Sequence, residues 1–447
     1  MKPGSSQALT VALCLCAVWL GSGCATYSDQ LQLALVAANR ADYATAISEL
    51  DRVAGNPTAN DLASDRKGDL SLTLLERGIL RQAGGAWRES SNDLSAADEH
   101  LEWLDLTVDP VGTLGEYIYS GSSKTYRPQP SEKLALNAFN LLNFLARGDL
   151  NGAAVEARRF TVMRETLDSA DIKALSALGA FLAGYVFERQ GQGDRALRYY
   201  EEALAAGATD RALQSTVERL APVFPYRGPN LRAMLGSRDR RSSGRVDPPT
   251  EILVVIATGR VPYRVPARVD VGTAIGWAGA MWSGDADWLA RSVAKVVVYP
   301  ALREGRPGNT VRGLRIDGEA LEASRVEDLS GQVRREYEAM KPQLIAAGLT
   351  RLAARAAVAE GVRAAAKNAD GWVGALAGIA AEGTLVALDR PDTRSWAMLP
   401  SVVAAARKQV EPGSHAVEVR IDGAPARRVT VDVPAGGFAA VVVTAPH

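Results

Sequence analysis

The chain reads as an α+β protein of several domains. A tetratricopeptide-like α-hairpin solenoid is followed by a mixed α/β region that ends in a small antiparallel β-sandwich. Three observations predict this. Over residues 28–220, apolar side chains recur at spacings of three and four between short Gly- or Asp-containing breaks. Residues 227–249 then concentrate Gly, Pro, Ser and six Arg. Beyond them β-branched runs alternate with Gly turns. The 447 residues suffice for two or three domains, and a 47% apolar fraction suffices for ordinary cores. The expected divisions are 1–23 (signal peptide), 24–226 (helical domain), 227–249 (linker), 250–410 (mixed strand and helix) and 411–447 (a β tail packed on the preceding domain).

The first segment is a lipoprotein signal. Lys2 precedes an uncharged apolar stretch, residues 8–20, which is shorter than the roughly 20 residues of a membrane span. Leu20-Gly21-Ser22-Gly23-Cys24 follows. Its small residues fit a peptidase groove in extended form, and the Cys24 thiol can take a diacylglyceryl group. Several acyl chains hold a protein on a bilayer far better than one. The usual lipobox has Leu three residues before the Cys, whereas Leu20 is four before it. Ordinary cleavage near Ala25, leaving a soluble periplasmic protein, is the alternative. Cys14 and Cys16 lie in the removed segment, so Cys24 would be the only mature thiol, which excludes an internal disulfide or a thiolate metal cluster. Ala25 and Thr26 lack the Asp of inner-membrane retention, which points to the outer membrane.

In the helical half one pattern recurs. Ala41-Asp42-Tyr43 precedes Ala46, Ile47 and Leu50; Gly85-Ala86-Trp87 precedes Ser90 and Leu94; Gly148-Asp149-Leu150 precedes Ala153 and Ala154; Gly191 precedes Ala196, Leu197 and Tyr200. This is similar to the tetratricopeptide repeat. Gly78 or Gly184 in a first helix would let the second approach closely, with an aromatic such as Tyr200 filling the gap. Stacked hairpins leave a groove that binds a protein, unless the chain's own second half fills it. Residues 108–130, with Tyr117, Tyr119 and Tyr126 among several Gly and Pro, form an inserted loop.

In the second half, residues 251–256 form a strand ended by Gly259, with 264–271 as its hairpin partner. Residues 294–299 form a strand stopped by Pro300, and 312–316 a strand followed by the Asp317-Gly318 turn. Residues 326–341 and 344–366 read as two amphipathic helices, and Gly272, Gly276 and Gly279 as a ladder for close helix packing. Residues 372–388 read as a buried helical hairpin rather than a span. The tail gives three antiparallel strands, 415–421, 427–433 and 438–444.

Chemistry is sparse. Zero net charge, from 51 basic and 51 acidic residues, argues against nucleic acid as a partner. His100, His415 and His447 have no ligand-like neighbours, so no metal and no other cofactor is expected. No Walker A, Gly-x-Ser-x-Gly or His-Glu-x-x-His motif occurs. The sharpest cluster is Asp392, Arg394 and Trp396, which suits an ion pair capped by an indole at the corner between helices and tail. Glu156 and Arg159, three apart, share a helix face. Both clusters are read as structural, and no catalytic residue is assigned.

The run Asp392-Thr393-Arg394-Ser395-Trp396-Ala397-Met398-Leu399-Pro400 resembles the Asp-x-Arg-x-Trp-x-x-Leu-Pro signature of an uncharacterised group of proteobacterial outer-membrane lipoproteins. Glu132, Gly148-Asp149, Glu156-Ala157-Arg158-Arg159, Gly259-Arg260-Val261-Pro262 and Pro412-Gly413 agree with it. The resemblance implies a lipid-anchored envelope protein with a repeat-like helical half and a β-containing half, and no activity. The expected function is that of a non-enzymatic scaffold binding an envelope protein through its groove, in envelope assembly, secretion or polysaccharide export. The alternatives are an envelope enzyme acting on peptidoglycan or polysaccharide, with Asp392 as acid or base, and a surface adhesin using the β tail.

Overall fold

The computed structural model describes residues 26–107, 126–169, 175–238, 242, 244–281, 296–365 and 390–447. Cys24, most of the Tyr-rich insertion and the 372–388 segment lie outside them. The described chain is α+β. Its helices begin with α1 (Tyr27–Gln30), α2 (Gln32–Asn39), α3 (Tyr43–Ala54) and α4 (Ala59–Leu62). Three long antiparallel pairs follow: α5 (Asp69–Ala83) with α6 (Trp87–Thr107), α7 (Pro130–Ala146) with α8 (Leu150–Ser169), and α9 (Ala177–Arg189) with α10 (Gly193–Ala205). Then come α11 (Asp210–Leu220) and α12 (Pro229–Leu235).

One turn recurs between these helices. Ala41, Gly85, Gly148 and Gly191 all have positive φ. The amide of each bonds the carbonyl three residues back, and the next amide bonds five back, as Gly191 N to Glu188 O (2.9 Å) and Gln192 N to Phe187 O (2.8 Å). This pair of bonds is the Schellman closure, which satisfies the last free carbonyls of the first helix. Close approach follows the same rule in two pairs. A Cβ on Gly78 would lie 2.7 Å from Leu94, and one on Gly184 2.6 Å from the Tyr200 ring.

The stretch expected as a linker carries α12, which opens on Pro229 and buries Leu231. Glu201 caps it, accepting from Asn230 N (3.0 Å) and Leu231 N (2.9 Å).

The strands are β1 (Glu251–Thr258), β2 (Tyr263–Asp270), β3 (Val296–Arg303), β4 (Val311–Ile316), β5 (Glu319–Leu321), β6 (Ser324–Asp328), β7 (Val402–Gln409), β8 (Gly413–Ile421), β9 (Arg427–Val433) and β10 (Phe438–Ala445); α13 (Val271–Ala278) follows β2, and α14 (Leu329–Ala365) follows β6. They form a sheet of order β10-β1-β7-β6, a second of order β5-β4-β8-β9, and the ribbon β2-β3. β1 is buried at every position. Ile252, Val254 and Ile256 face a cluster with Leu314, Val417 and Val419 of the second sheet. Leu253, Val255 and Ala257 join the helical core instead. The first sheet therefore lies between a helical layer and the second sheet, which is why β1 reads as a continuous apolar run.

Several expectations are corrected. β2 pairs with β3, not β1, because both edges of β1 are taken by β7 and β10. Pro300 lies inside β3, opposite Pro266; a two-stranded ribbon tolerates the pair, since neither ring nitrogen needs a ladder partner there. The two expected amphipathic helices are one helix, α14, running through Pro342, and residues 326–328 belong to β6. The tail strands do not form one antiparallel unit: β8 and β9 pair, but β10 crosses to run parallel with β1. Among the described residues Gly276 meets nothing within 4 Å, and α13 packs on α14 through Ala274 and Ala278 instead of through its glycines. Asp317 and Gly318 do turn between β4 and β5, both with positive φ as a type I′ hairpin requires.

Candidate functional site: a buried joint between helices and sheets

The segment 390–401 has no regular secondary structure, yet its centre is buried: Trp396, Ala397, Met398 and Leu399 are all 0% exposed. Irregular backbone placed out of water must find partners for its N–H groups. Here carboxylates from the helical half supply them. Glu132, in the first turn of α7, accepts from Trp396 N at 2.7 Å. Glu76, in the middle of α5, accepts from Ala397 N (2.8 Å) and Met398 N (2.6 Å). Glu132 also caps its own helix at Gln129 N (2.7 Å) and accepts from the Tyr126 hydroxyl (2.9 Å). Burial pushes the Glu76 carboxyl up to about 8, against the pull of its two amide donors.

Asp392 and Arg394 form the bidentate pair that the sequence suggests. Arg394 Nε meets Asp392 Oδ1 at 2.9 Å and Nη2 meets Oδ2 at 2.8 Å. Nη1 reaches across to Lys67 O (3.0 Å) and Asp69 Oδ1 (2.9 Å) on the helical side. Burial raises the Asp392 carboxyl, but the hydrogen bonds and charge of Arg394 outweigh it and hold the group below its ordinary value. Trp396 is fully buried beneath the same segment. The start of α1 is tied in as well, Ser28 N donating to Thr393 Oγ1 at 3.2 Å. On the sheet side Ser401 N donates to Thr258 O (3.0 Å), and Val261 N to Leu399 O (2.9 Å). Beside the segment, Gln129, Glu132, Val261, Arg264 and Ser395 line a cavity of about 20 Å³, room for roughly one water.

A second joint, not anticipated from sequence, centres on Arg407 of β7. Its Nη1 and Nη2 bind Glu188 of α9 at 2.9 and 2.7 Å, and its Nε binds Glu251 of β1 at 3.0 Å. Arg219 and the Tyr200 hydroxyl also donate to Glu188. Burial acts to raise the Glu188 carboxyl, yet Arg407, Arg219 and Tyr200 together hold it down at about 2. Arg189 joins Glu251 (3.3 Å) and the carbonyl of Gly436 (2.7 Å).

Two more glutamates, Glu327 buried and Glu336 half-buried, cap helices from outside. Glu327 of β6 accepts from Leu178 N (2.9 Å) and Ser176 Oγ (3.1 Å) at the start of α9. Glu336 of α14 accepts from Ser131 N (2.8 Å) at the start of α7. Burial raises each to about 7. Negative charge at a helix amino terminus is favourable, so these contacts dock the second half onto helix ends of the first.

Glu156 and Arg159 lie on α8 in a separate cluster with Asp98 and Asn137. Arg159 reaches Asp98 (3.3 Å) more closely than Glu156 (4.0 Å), and Asn137 donates to Asp98 at 3.2 Å. Burial raises Glu156 to about 7. The signals that sequence reading passed over were charged residues set inside apolar runs: Glu76 between Leu75 and Ile79, and Arg407 after Ala404-Ala405-Ala406.

No family model matches this chain, and neither a curated protein nor a solved structure matches it.

Proposed function

We propose that the chain is a lipid-anchored cell-envelope scaffold or adaptor. Acyl chains on Cys24 hold it to the outer membrane, and its tetratricopeptide-like hairpins bind an envelope protein. The recurring turn and the Gly184–Tyr200 approach support the repeat reading, and the shared cluster of the two four-stranded sheets supports a β-sandwich. The partner face is not the inner groove. α5, α7 and α9 are buried nearly all round, with β10 and β6 of the chain's own sheet packed on them.

One observation carries the reading. On the outer helix α8, Val155 and Val162 are 44% and 62% exposed, one heptad apart on a helix whose other face is buried. Two exposed valines with Arg158 between them on the same face offer a partner helix or loop both apolar and charged contacts. Two residues of chain span at most about 7 Å, so a lipid on Cys24 keeps Thr26, and the docked α1 after it, against the bilayer surface. An envelope enzyme working through Asp392 gains nothing from a carboxylate locked to Arg394 beside so small a cavity.

The test is site-specific photocrosslinking from position 162 in intact envelopes, with fractionation of a C24S variant. A discrete adduct that V155E abolishes, and release of C24S from the membrane, are expected. A membrane-bound C24S protein without any discrete adduct would contradict the proposal.

A further inference from the structure

Two arginines oppose one another at the margin of the joint. Arg260 N donates to Arg306 O at 2.8 Å, and the two residues form an isolated antiparallel bridge. Residues opposed in this way present their side chains on one face, where like charges repel. Both guanidiniums turn to a single neutral atom: Arg260 Nη2 (2.7 Å) and Arg306 Nε (3.0 Å) donate to Asn39 Oδ1. Arg260 Nη1 takes the carbonyl of Pro446 at 2.6 Å. Among the described residues no carboxylate lies within ion-pair distance of either arginine.

The arrangement leaves donors unused. Arg260 is 4% exposed, and its Nε has no partner. Arg306 is exposed, and its terminal nitrogens make no bond among the described residues. Next to them the Tyr43 hydroxyl pairs with His447 Nδ1 at 2.8 Å. Burial pushes the Tyr43 phenol up to about 12, so it keeps its proton. Burial and then the charges of Arg260 and Arg306 lower His447, so its ring is neutral near pH 7. The other ring nitrogen, Nε2, is a buried atom that also lacks a partner among the described residues.

The backbone is committed to holding this pair. A Cβ on Gly259 (φ 67) would lie 2.6 Å from Arg306 O, and one on Gly305 would lie 2.1 Å from Val261 O. Only glycine fits at either place. Acceptors nearby are otherwise engaged: Glu76, which burial holds toward its neutral form, accepts from the amides of Ala397 and Met398, and the main-chain oxygen of His447 accepts from Asn309 Nδ2 at 2.9 Å. Arg427 adds positive potential at Tyr43.

Opposed guanidiniums with spare donors and, among the described residues, no ion-paired carboxylate are complementary to a tetrahedral oxyanion. We infer that Arg260 and Arg306, with Tyr43 and His447, form a binding site for a phosphate group, carried by a free phosphate or by a phospholipid headgroup. The anion relieves the repulsion across the bridge and bonds the exposed end of Arg306, while the buried Arg260 behind it adds positive potential.

The experiment uses the full chain carrying C24S, so that acylation plays no part. Calorimetric titration with inorganic phosphate is run beside co-flotation with phosphatidylglycerol and phosphatidylcholine vesicles. Saturable binding is expected, weakened about tenfold or more by R306A, and unchanged by R325A, which removes an exposed arginine elsewhere. N39D places a carboxylate between the guanidiniums. It should raise Tm without anion and abolish binding, a result that holds the inference testable even if an arginine variant folds poorly. Binding of phosphate itself assigns the site to free phosphates; binding of phosphatidylglycerol vesicles alone assigns it to headgroups. Absence of saturable binding to either probe, or binding that R306A leaves unchanged, overturns the inference.

Discussion

Replacing Glu76 by Gln should make the protein more resistant to alkaline pH. Glu76 is 0% exposed and surrounded by leucines of α5, and the amides of Ala397 and Met398, with the more distant charge of Arg260, offset only part of the cost of burying its charge. Its folded-state pKa is raised to about 8 from an ordinary 4.5. The sign follows from linkage. A raised carboxyl favours the protonated folded form, so its contribution is full below pH 4.5 and is lost as pH rises through about 8. Between pH 6 and 9 that loss comes to about 2.5 kcal/mol, taking 1.36 kcal/mol per pKa unit. Gln keeps the size of the side chain and cannot ionise. It also presents an NH2 where one amide expects an acceptor, a pH-independent cost of roughly 1–3 kcal/mol. Denaturant unfolding of both proteins at intervals from pH 5 to 9 reads the difference. The wild type should lose its advantage steadily, and E76Q should overtake it or nearly so by pH 9. A gap that stays constant or widens against E76Q with rising pH would show that Glu76 is charged in the fold, and would refute the reasoning.

Other outcomes follow from the same contacts. R407A strands Glu188 and Glu251 without their shared cation and should cost about 3–5 kcal/mol in chemical denaturation. The Glu188 carboxyl is depressed to about 2, so its contribution is present above pH 4.5 and lost as pH falls toward 2; the acid limb of the stability profile should flatten in R407A. A41G should stabilise by about 0.5–1 kcal/mol, read as a rise in midpoint, because Ala41 carries a side chain at positive φ (57°) where the like turns at 85, 148, 191 and 207 have Gly. G184A drives a methyl to 2.6 Å from the Tyr200 ring and should destabilise by about 1–3 kcal/mol in the same assay.

What the sequence disclosed was what local chemistry decides. The helix turns announce themselves because a left-handed residue after an apolar helix selects Gly, as at 85, 148 and 191. The Asp392–Arg394 pair was legible because both partners sit on one short segment. Long-range pairing was not. Nothing local distinguishes a tail strand that pairs with β9 from one that crosses to lie parallel to β1, and the choice belongs to the apolar faces meeting across the first sheet. β7 escaped because Val402–Gln409 is rich in Ala and basic residues, a composition that favours helix until two neighbouring strands claim it. Glu76 and Arg407 escaped for a related reason. A charge within an apolar run signals burial, but its partners lie more than 150 residues away in each case.

The central claim is that the coil at 396–398, held by Glu76 and Glu132, locks helices and sheets into one body. Native-state hydrogen exchange of the Trp396, Ala397 and Met398 amides tests it most directly. These amides should exchange only through global unfolding, with the same free energy and denaturant dependence as the amides of β1. Exchange through a local opening, while β1 and α5 keep full protection, would contradict it.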